Sequence, residues 1–211
     1  MKYTTAIFAA ILFSFPIFGA KHDAKAQTEI KIPMETPPGH IKTRSAEAFK
    51  KALETISKGK YKVSIFPSAQ LMMGKDEVPA VARGQVQMAV PTIGYVSNIE
   101  PAFKLLEVPM LFESYGSMEK VLNGSIGKGL LKKLEKKRVM ATHFWYDGFV
   151  ALWSKKPIKT VKDLKNLKIR VWPSEVLANS TKALGGSPTA IPGPEVFLAL
   201  KTGVADGAWT T

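Results

Sequence analysis

The chain of 211 residues contains no cysteine and only three histidines. The absence of cysteine excludes a disulfide framework, a thiolate zinc site, an iron–sulfur cluster and a cysteine nucleophile. Acidic residues are also scarce, because 17 Asp and Glu stand against 30 Lys and Arg, which gives a net charge of +13. The remaining composition, 45% hydrophobic and 22% charged, is that of a globular protein long enough to bury a core. Intrinsic disorder, collagen and low-complexity sequence are therefore excluded.

Long hydrophobic runs are absent apart from one near the N-terminus. Lys2 precedes an apolar run at residues 6–18, and a small-residue site follows at residues 24–26 (AKA). This order is typical of a secretory signal peptide, and the run is too short for a comfortable membrane span. We predict that residues 1–26 are a signal peptide, cleaved after Ala26, and that the mature chain reaches the periplasm without stable membrane insertion. An uncleaved anchor is the alternative, whereas a lipoprotein would need a cysteine.

The positive charge falls to +11 once the three lysines and one aspartate of the signal peptide are removed. It is densest at residues 128–138, where Leu130, Leu131 and Leu134 recur at helical spacing between lysines. This pattern predicts an amphipathic helix with a solvated basic face. A docking surface for an acidic partner or for lipid headgroups is the alternative. Nucleic acid is not an expected partner, because the protein is exported and has no aromatic-rich basic strand.

From residue 28 onward, predicted strands alternate with predicted helices. The sequence predicts strands at 29–33, 61–66 and 86–90, with helices at 45–57 and 78–83 between them. This β-α-β-α-β order predicts a parallel sheet covered by helices. Farther along, the pattern predicts helices at 117–122 and 126–137 and strands at 139–144 and 149–154.

Two segments repeat each other at an offset of 106 residues. Residues 62–71 (KVSIFPSAQL) and 168–177 (KIRVWPSEVL) are identical at four positions, and each is a predicted strand that ends in aromatic-Pro-Ser. The serine of each copy is placed to cap the next element of the chain. A helix, a glycine and a further strand come later in both halves, around Gly84 and Gly203. The repeat predicts two similar α/β lobes.

We place lobe 1 at residues 27–150 and lobe 2 at residues 151–211, with the chain crossing between them near residues 145–155. Open α/β sheets bind ligands at the carboxyl ends of their strands, so two such lobes place both sets of strand ends around one cleft. That cleft is the candidate binding site.

Arg170 is the leading candidate in the cleft. Alternation along the strand at 167–172 puts Lys168, Arg170 and Trp172 on one face, with Arg170 near the carboxyl end. A guanidinium there can bind a carboxylate through two hydrogen bonds, each contributing roughly 1.5–3 kcal/mol. The alternatives are a surface or interlobe salt bridge for Arg170 and a core or rim aromatic for Trp172.

The same reasoning adds neutral hydrogen-bonding groups and aromatic surface to the predicted cleft. The additional candidates are Gln70, Thr92, Tyr95, Trp209 and Thr210. Asp206, next to Gly207, is interpreted as a turn residue rather than a ligand contact.

A secreted α/β hydrolase is the rival interpretation. His40 and His143 are the histidines outside the signal peptide. His40 follows a Pro-Gly pair and is a candidate cleft residue or a solvated loop residue, and His143 is expected to be structural within the strand at 139–144. Neither belongs to an H-E-x-x-H pair, and no G-x-S-x-G elbow occurs. We therefore expect a binding protein rather than an enzyme.

Five segments together carry a resemblance to a known family. They are residues 66–71 (FPSAQL), 84–89 (GQVQMA), 164–171 (LKNLKIRV), 183–188 (ALGGSP) and 195–207 (EVFLALKTGVADG). In combination they resemble the solute-binding proteins of tripartite ATP-independent periplasmic (TRAP) transporters, from about residue 28 to the end.

The resemblance implies a two-lobe, type II-like periplasmic binding fold that closes over an organic anion and needs no cofactor or metal. It further implies delivery of that anion to a membrane permease driven by an ion gradient. In the family, the arginine at the position of Arg170 clamps the substrate carboxylate.

The resemblance also shows where this chain departs from the sialic-acid-binding branch. Members of that branch carry a second arginine just after the glycine that matches Gly148, where this chain has Phe149, and a cleft phenylalanine where it has Gly193. A sialic-acid ligand is therefore not expected. Phe149, Trp172 and Trp209 instead indicate a ligand with apolar or aromatic surface.

Family members continue beyond the position of Thr211, so the resemblance implies an incomplete second lobe. The chain is then either a fragment or the product of a truncated gene. A remnant that no longer binds its ligand is a further alternative.

Overall fold

The computed structural model describes residues 27–211, so the predicted signal peptide lies outside the described residues. Across residues 27–211 the chain is an α/β protein with two separate sheets, one of two strands and one of four. No helix in this range combines the length and the apolar character needed to cross a membrane.

The first sheet pairs two parallel strands, β1 (Thr28–Pro33) and β2 (Tyr61–Phe66), joined by helix α1 (Ile41–Ile56). Both strands and the helix agree with the sequence prediction, although α1 begins four residues earlier than predicted. His40 begins this helix, since its Nδ1 accepts a hydrogen bond from the backbone N–H of Lys42 at 3.2 Å. The strands and the helix enclose a core of Ile32, Met34, Ala46 and Val63.

The predicted strand at 86–90 is wrong. This segment runs beside β1, but one backbone hydrogen bond joins the two, from the N–H of Met88 to the carbonyl of Lys31 at 3.4 Å. The N–H of Lys31 instead donates to the side-chain oxygen of Gln87 at 3.0 Å. Because a side chain replaces the ladder bond that a strand would supply, the segment stays irregular.

Helices and turns fill the chain between the two sheets and pack around Val78, Val96, Phe103, Leu130 and Leu134. Their bounds are α2 (Gly74–Ala82), α3 (Ile93–Ser97), α4 (Tyr115–Leu122), α5 (Ser125–Lys133) and 3-10 helices at Pro101–Glu107 and Leu134–Lys137. The predicted basic helix is thus confirmed as α5 with a 3-10 extension, and most of its lysines are exposed.

The predicted strand at 139–144 is also wrong. Val139, Ala141 and Phe144 do pack against the core around Phe103, which explains the apolar pattern. The segment is irregular because a strand needs a hydrogen-bonded neighbour, and across residues 27–211 no backbone lies paired with it. His143 is exposed here rather than held in a sheet.

The second sheet has the strand order β3-β6-β4-β5, with β3 antiparallel to β6 and the other pairs parallel. Its elements are β3 (Ala151–Ser154), a 3-10 helix (Val161–Leu164), β4 (Lys168–Val171), α6 (Glu175–Ala183), β5 (Ser187–Ala190), a 3-10 helix (Gly193–Glu195), α7 (Val196–Thr202) and β6 (Gly207–Thr210). The predicted strand at 149–154 therefore begins two residues later than expected.

Two local predictions in this part are confirmed. Ser174 caps α6, since its Oγ accepts the N–H of Leu177 at 3.1 Å. The same prediction is wrong for Ser68 in the other copy, because Ser68 lies in the turn after β2 with a φ of 54° and α2 begins only at Gly74, after Met73. Asp206 is structural, because its Oδ2 accepts the N–H of Lys168 at 2.9 Å and so ties the start of β4 to the segment before β6.

Candidate functional site

Arg170 lies on β4 in the second sheet and is only 6% exposed. Its Nε donates to the carbonyl of Ile191 at 2.8 Å, and its Nη1 donates to the carbonyl of Trp209 at 3.1 Å. Two neighbouring segments therefore fix the guanidinium in one orientation. Burial lowers the pKa of Arg170 from its ordinary value, and the nearby carboxylate of Glu35 opposes this shift.

The charge of Glu35, on the chain next to the first sheet, acts on Arg170. Glu35 lies just after β1, and its Oε1 accepts hydrogen bonds from the hydroxyl of Tyr95 at 3.0 Å and from the N–H of Gly193 at 2.8 Å. Burial, followed by the charge of Glu35, raises the pKa of Tyr95 well above its usual range. Because Gly193 lies after β5, this carboxylate joins the chain around the first sheet to the chain around the second.

Gly74, at the start of α2, makes room for this arrangement. A Cβ at this position would lie 2.5 Å from Oε2 of Glu35 and would overlap the ring of Tyr95. A side chain here would therefore displace the group that holds Gly193.

We expect Gly74→Ala to lower the stability of the fold by about 1–3 kcal/mol and to weaken ligand binding, because the extra methyl overpacks the site. Thermal unfolding and calorimetric titration measure the two effects. Gly129→Ala is the matched control, since a Cβ added to Gly129 inside α5 would meet nothing within 4 Å, and there alanine should be neutral or mildly stabilising. Equal behaviour of the two variants would contradict the crowding at Gly74.

A second buried cluster lies beside Glu35. Glu77 on α2 is 1% exposed, and neither of its carboxyl oxygens has a hydrogen-bond partner among residues 27–211. Burial raises the pKa of Glu77 to about 8, although the ammonium of Lys42 favours the ionised form. Lys42 is itself buried, and its Nζ donates to Oγ1 of Thr92 at 3.4 Å. Thr92, a predicted cleft residue, thus belongs to this cluster.

The two predicted tryptophans have their indole N–H groups engaged by the protein. Trp172 donates to Oε1 of Glu107 at 3.0 Å, across to the 3-10 helix before α4, and Trp209 donates to Oγ1 of Thr181 on α6 at 2.9 Å. Each tryptophan can therefore offer a ligand its ring surface rather than a hydrogen bond. The backbone of Trp209, through its carbonyl, contacts Arg170 directly.

The remaining predicted residues are more dispersed. Gln70 is exposed in the turn after β2, and Thr210 is half-buried at the end of β6, opposite Ala151. Phe149 is 43% exposed and packs its ring against that of Tyr115, with centroids 4.5 Å apart. His40 caps α1, with its Nδ1 3.8 Å from a carboxylate oxygen of Asp147.

Glu35, Lys42 and Glu77 are the important side chains that the sequence analysis missed. A signal existed for Glu35, because it lies just past the carboxyl end of β1, as Trp172 lies just past that of β4. A signal existed for Glu77 as well. It shares the buried side of α2 with Gly74 and Val78, and a carboxylate is rare on the buried side of a helix.

The fold and site together define a class of protein: an α/β protein of two sheets, with a buried arginine held by two backbone carbonyls near the carboxyl end of a strand in the second sheet. The family model described as bacterial extracellular solute-binding protein, family 7, matches residues 32–211. The chain therefore belongs to this family of extracellular solute-binding proteins, as the resemblance predicted.

Individual relatives agree with this assignment. The chain is 34% identical over 179 residues to the C4-dicarboxylate-binding periplasmic protein DctP of Rhodobacter capsulatus, covering 84% of this chain and 54% of that protein. It resembles a TRAP periplasmic solute-binding protein of Sulfurospirillum deleyianum with bound succinate, with a TM-score of 0.84, 34% identity, and 88% of this chain and 60% of that chain covered. The chain also resembles a TRAP periplasmic solute-binding protein of a Polaromonas species bound to D-erythronate. The TM-score is 0.83 and the identity 29%, and the match covers 87% of this chain and 61% of that chain. The chain thus spans about half to three fifths of the length of these relatives.

Proposed function

We propose that this chain is the periplasmic solute-binding component of a TRAP transporter and that it captures an organic acid between two lobes, residues 27–150 and 151–211. The observation that carries the proposal is Arg170, which is buried at the carboxyl end of the second sheet with its guanidinium fixed by two carbonyls.

The chemistry of this arginine favours a carboxylate ligand. A guanidinium has five N–H donors in a rigid plane, and the carbonyls of Ile191 and Trp209 engage two of them. The remaining donors suit the two oxygens of a carboxylate. Because the side chain is already held in place, binding costs little additional side-chain entropy.

The relatives support an organic acid as the ligand class, since the Sulfurospirillum protein holds succinate and the Polaromonas protein holds D-erythronate. The charge of the chain points the same way, because a net positive protein raises the local concentration of an anion and speeds its capture.

The proposed pathway begins with export through the signal peptide at residues 1–26. In the periplasm the acid pairs with Arg170, and the lobes close and exclude water. The closed form then presents the surface that the membrane permease recognises. The predicted contacts with the rest of the ligand are Gln70, Thr92, Phe149, Trp172, Trp209, Thr210 and His40.

A hydrolase is the less favoured alternative. Hydrolysis by a serine–histidine pair would need a histidine free to take a proton. Nδ1 of His40 instead accepts the backbone N–H of Lys42 at the start of α1. The proposal therefore includes binding without turnover.

Isothermal titration of the full chain tests the proposed function. Titrants are small organic acids, succinate and D-erythronate among them, each paired with the amide that removes its negative charge. We expect at least one acid to bind with a dissociation constant in the micromolar range or below, and its amide to bind at least about 100-fold more weakly, because a bidentate charged pair is lost. Equal binding of acid and amide, or turnover of an ester analogue, would contradict the proposal.

A further inference from the structure

The carboxylate of Glu35 is the part of the site that a simple carboxylate clamp does not explain. It is nine-tenths buried, and its charge acts on Arg170, the arginine that the proposed function assigns to the ligand. One task is structural, since Oε1 joins Tyr95 to Gly193, but that task leaves the other oxygen, Oε2, without a role.

Glu35 has one oxygen engaged by the protein and one that is not. Oε1 takes the hydrogen bonds of Tyr95 and Gly193, at 3.0 and 2.8 Å. Among residues 27–211, no hydrogen bond reaches Oε2, which lies against Gly74, where an added Cβ would be 2.5 Å away. A carboxylate oxygen is an acceptor only, so the group that completes Oε2 must carry an N–H or O–H.

Because the carboxylate of Glu35 is fixed in position, it can distinguish between ligands that differ in the group they place next to it. Its bonds to Tyr95 and Gly193 come from separate parts of the chain, so the side chain cannot swing away from a ligand without losing both. A second carboxylate on the ligand would meet a like charge in a site sheltered from water, where like charges repel strongly. A hydroxyl or an ammonium would be attracted.

We propose that Glu35 is a specificity determinant that accepts a hydrogen bond from the ligand, so that the site selects monocarboxylates bearing a hydrogen-bond donor and rejects dicarboxylates. The proposal rests on the proposed function, since it assumes that Arg170 holds the ligand carboxylate. Arg170 and Glu35 then recognise the two ends of one molecule: an anion at the second sheet and a donor at the first.

Four acids of equal carbon number test this selectivity on the unaltered chain. Succinate carries a second carboxylate, D-erythronate carries hydroxyls, 4-aminobutyrate carries an ammonium, and butyrate carries neither charge nor donor at its far end. Calorimetry should give a dissociation constant at least tenfold lower for D-erythronate or 4-aminobutyrate than for succinate, with butyrate in between. Whichever of these two acids binds more tightly shows whether Glu35 accepts its hydrogen bond from a hydroxyl or from an ammonium. Succinate binding as tightly as both donor-bearing acids would overturn the proposal.

Glu35→Gln provides the second test. Glutamine keeps the volume and an acceptor for Tyr95 and Gly193 but removes the charge, so the preference over succinate should fall at least tenfold. Glu29→Gln is the control, because it removes the same charge from an exposed position on β1 and should leave the preference unchanged. An unchanged preference in Glu35→Gln would overturn the proposal.

The outcomes separate this inference from the proposed function. If acids bind and require Arg170 but succinate is not disfavoured, the role of Glu35 alone is wrong. If none of the acids binds to the full chain, the proposed function fails and the selectivity fails with it.

Discussion

Replacing Arg170 by lysine is expected to weaken the binding of an organic acid by about 100-fold or more while leaving the fold intact. Lysine keeps the positive charge but loses the planar pair of donors. The bidentate contact to a carboxylate consists of two charge-assisted hydrogen bonds of roughly 1.5–3 kcal/mol each, and losing one to two of them corresponds to this change in affinity. Arg170→Ala should be at least as severe. Calorimetric titration of the acid measures the effect.

Stability has to be followed alongside affinity, because Arg170 also holds the carbonyls of Ile191 and Trp209. Each carbonyl left without a donor costs about 1–3 kcal/mol, so a lower melting temperature is expected in the alanine variant. Lys168→Ala is the control: it removes one charge from the same strand, at an exposed position, and should leave affinity unchanged. If Arg170→Lys binds the organic acid as tightly as the unaltered chain does, Arg170 does not bind the ligand carboxylate.

Glu77→Gln is expected to stabilise the protein at neutral and higher pH and to remove the part of the pH dependence of folding stability that Glu77 causes. The pKa of Glu77 is about 8 in the folded protein and near 4.5 when unfolded, so the folded state holds a proton that the unfolded state releases between these values. Stability therefore falls as pH rises through that window and levels off above about 8. The loss between pH 4.5 and 7 reaches about 3 kcal/mol. Glutamine resembles the protonated acid and carries no such penalty.

Thermal unfolding from pH 5 to pH 8 measures the difference. The variant should match the unaltered protein near pH 5 and melt about 6–12 °C higher near pH 7. Glu119→Gln, at an exposed position on α4, is the control and should follow the unaltered protein at every pH. A constant difference between Glu77→Gln and the unaltered protein across this range would show that Glu77 is not buried in its neutral form.

The sequence patterns correctly predicted the strands that form backbone hydrogen bonds with a neighbouring strand. The strands β1, β2 and β4 lie where apolar runs between turns predicted them, and each is held by a ladder. The segments at 86–90 and 139–144 have the same pattern but lack the ladder. Local sequence reports which residues face a core, but it does not report whether a neighbouring strand is present.

The candidate site also has one part that local sequence predicts and one part that it does not. The position of Arg170 near the carboxyl end of β4 could be predicted, because alternation and the end of a strand are local properties. The contacts of Glu35 with Tyr95 and Gly193 join residues 60 and 158 positions apart in the chain. Such pairings depend on how the two sheets meet, which no window of sequence encodes. The sequence predicted Trp172 and Trp209 as aromatic surface for a ligand, with a core or rim role as the alternative for Trp172. It did not predict that their indole N–H groups would donate to Glu107 and Thr181.

Native mass spectrometry of the full chain, expressed with its own N-terminus and purified gently from a periplasm, tests most directly whether Arg170 captures an organic acid. We expect a chain that begins near Gln27 and carries a small organic acid, which is lost on denaturation and absent from Arg170→Lys purified in the same way. A chain that carries nothing, or that carries the same mass in both proteins, would contradict capture of an organic acid by Arg170.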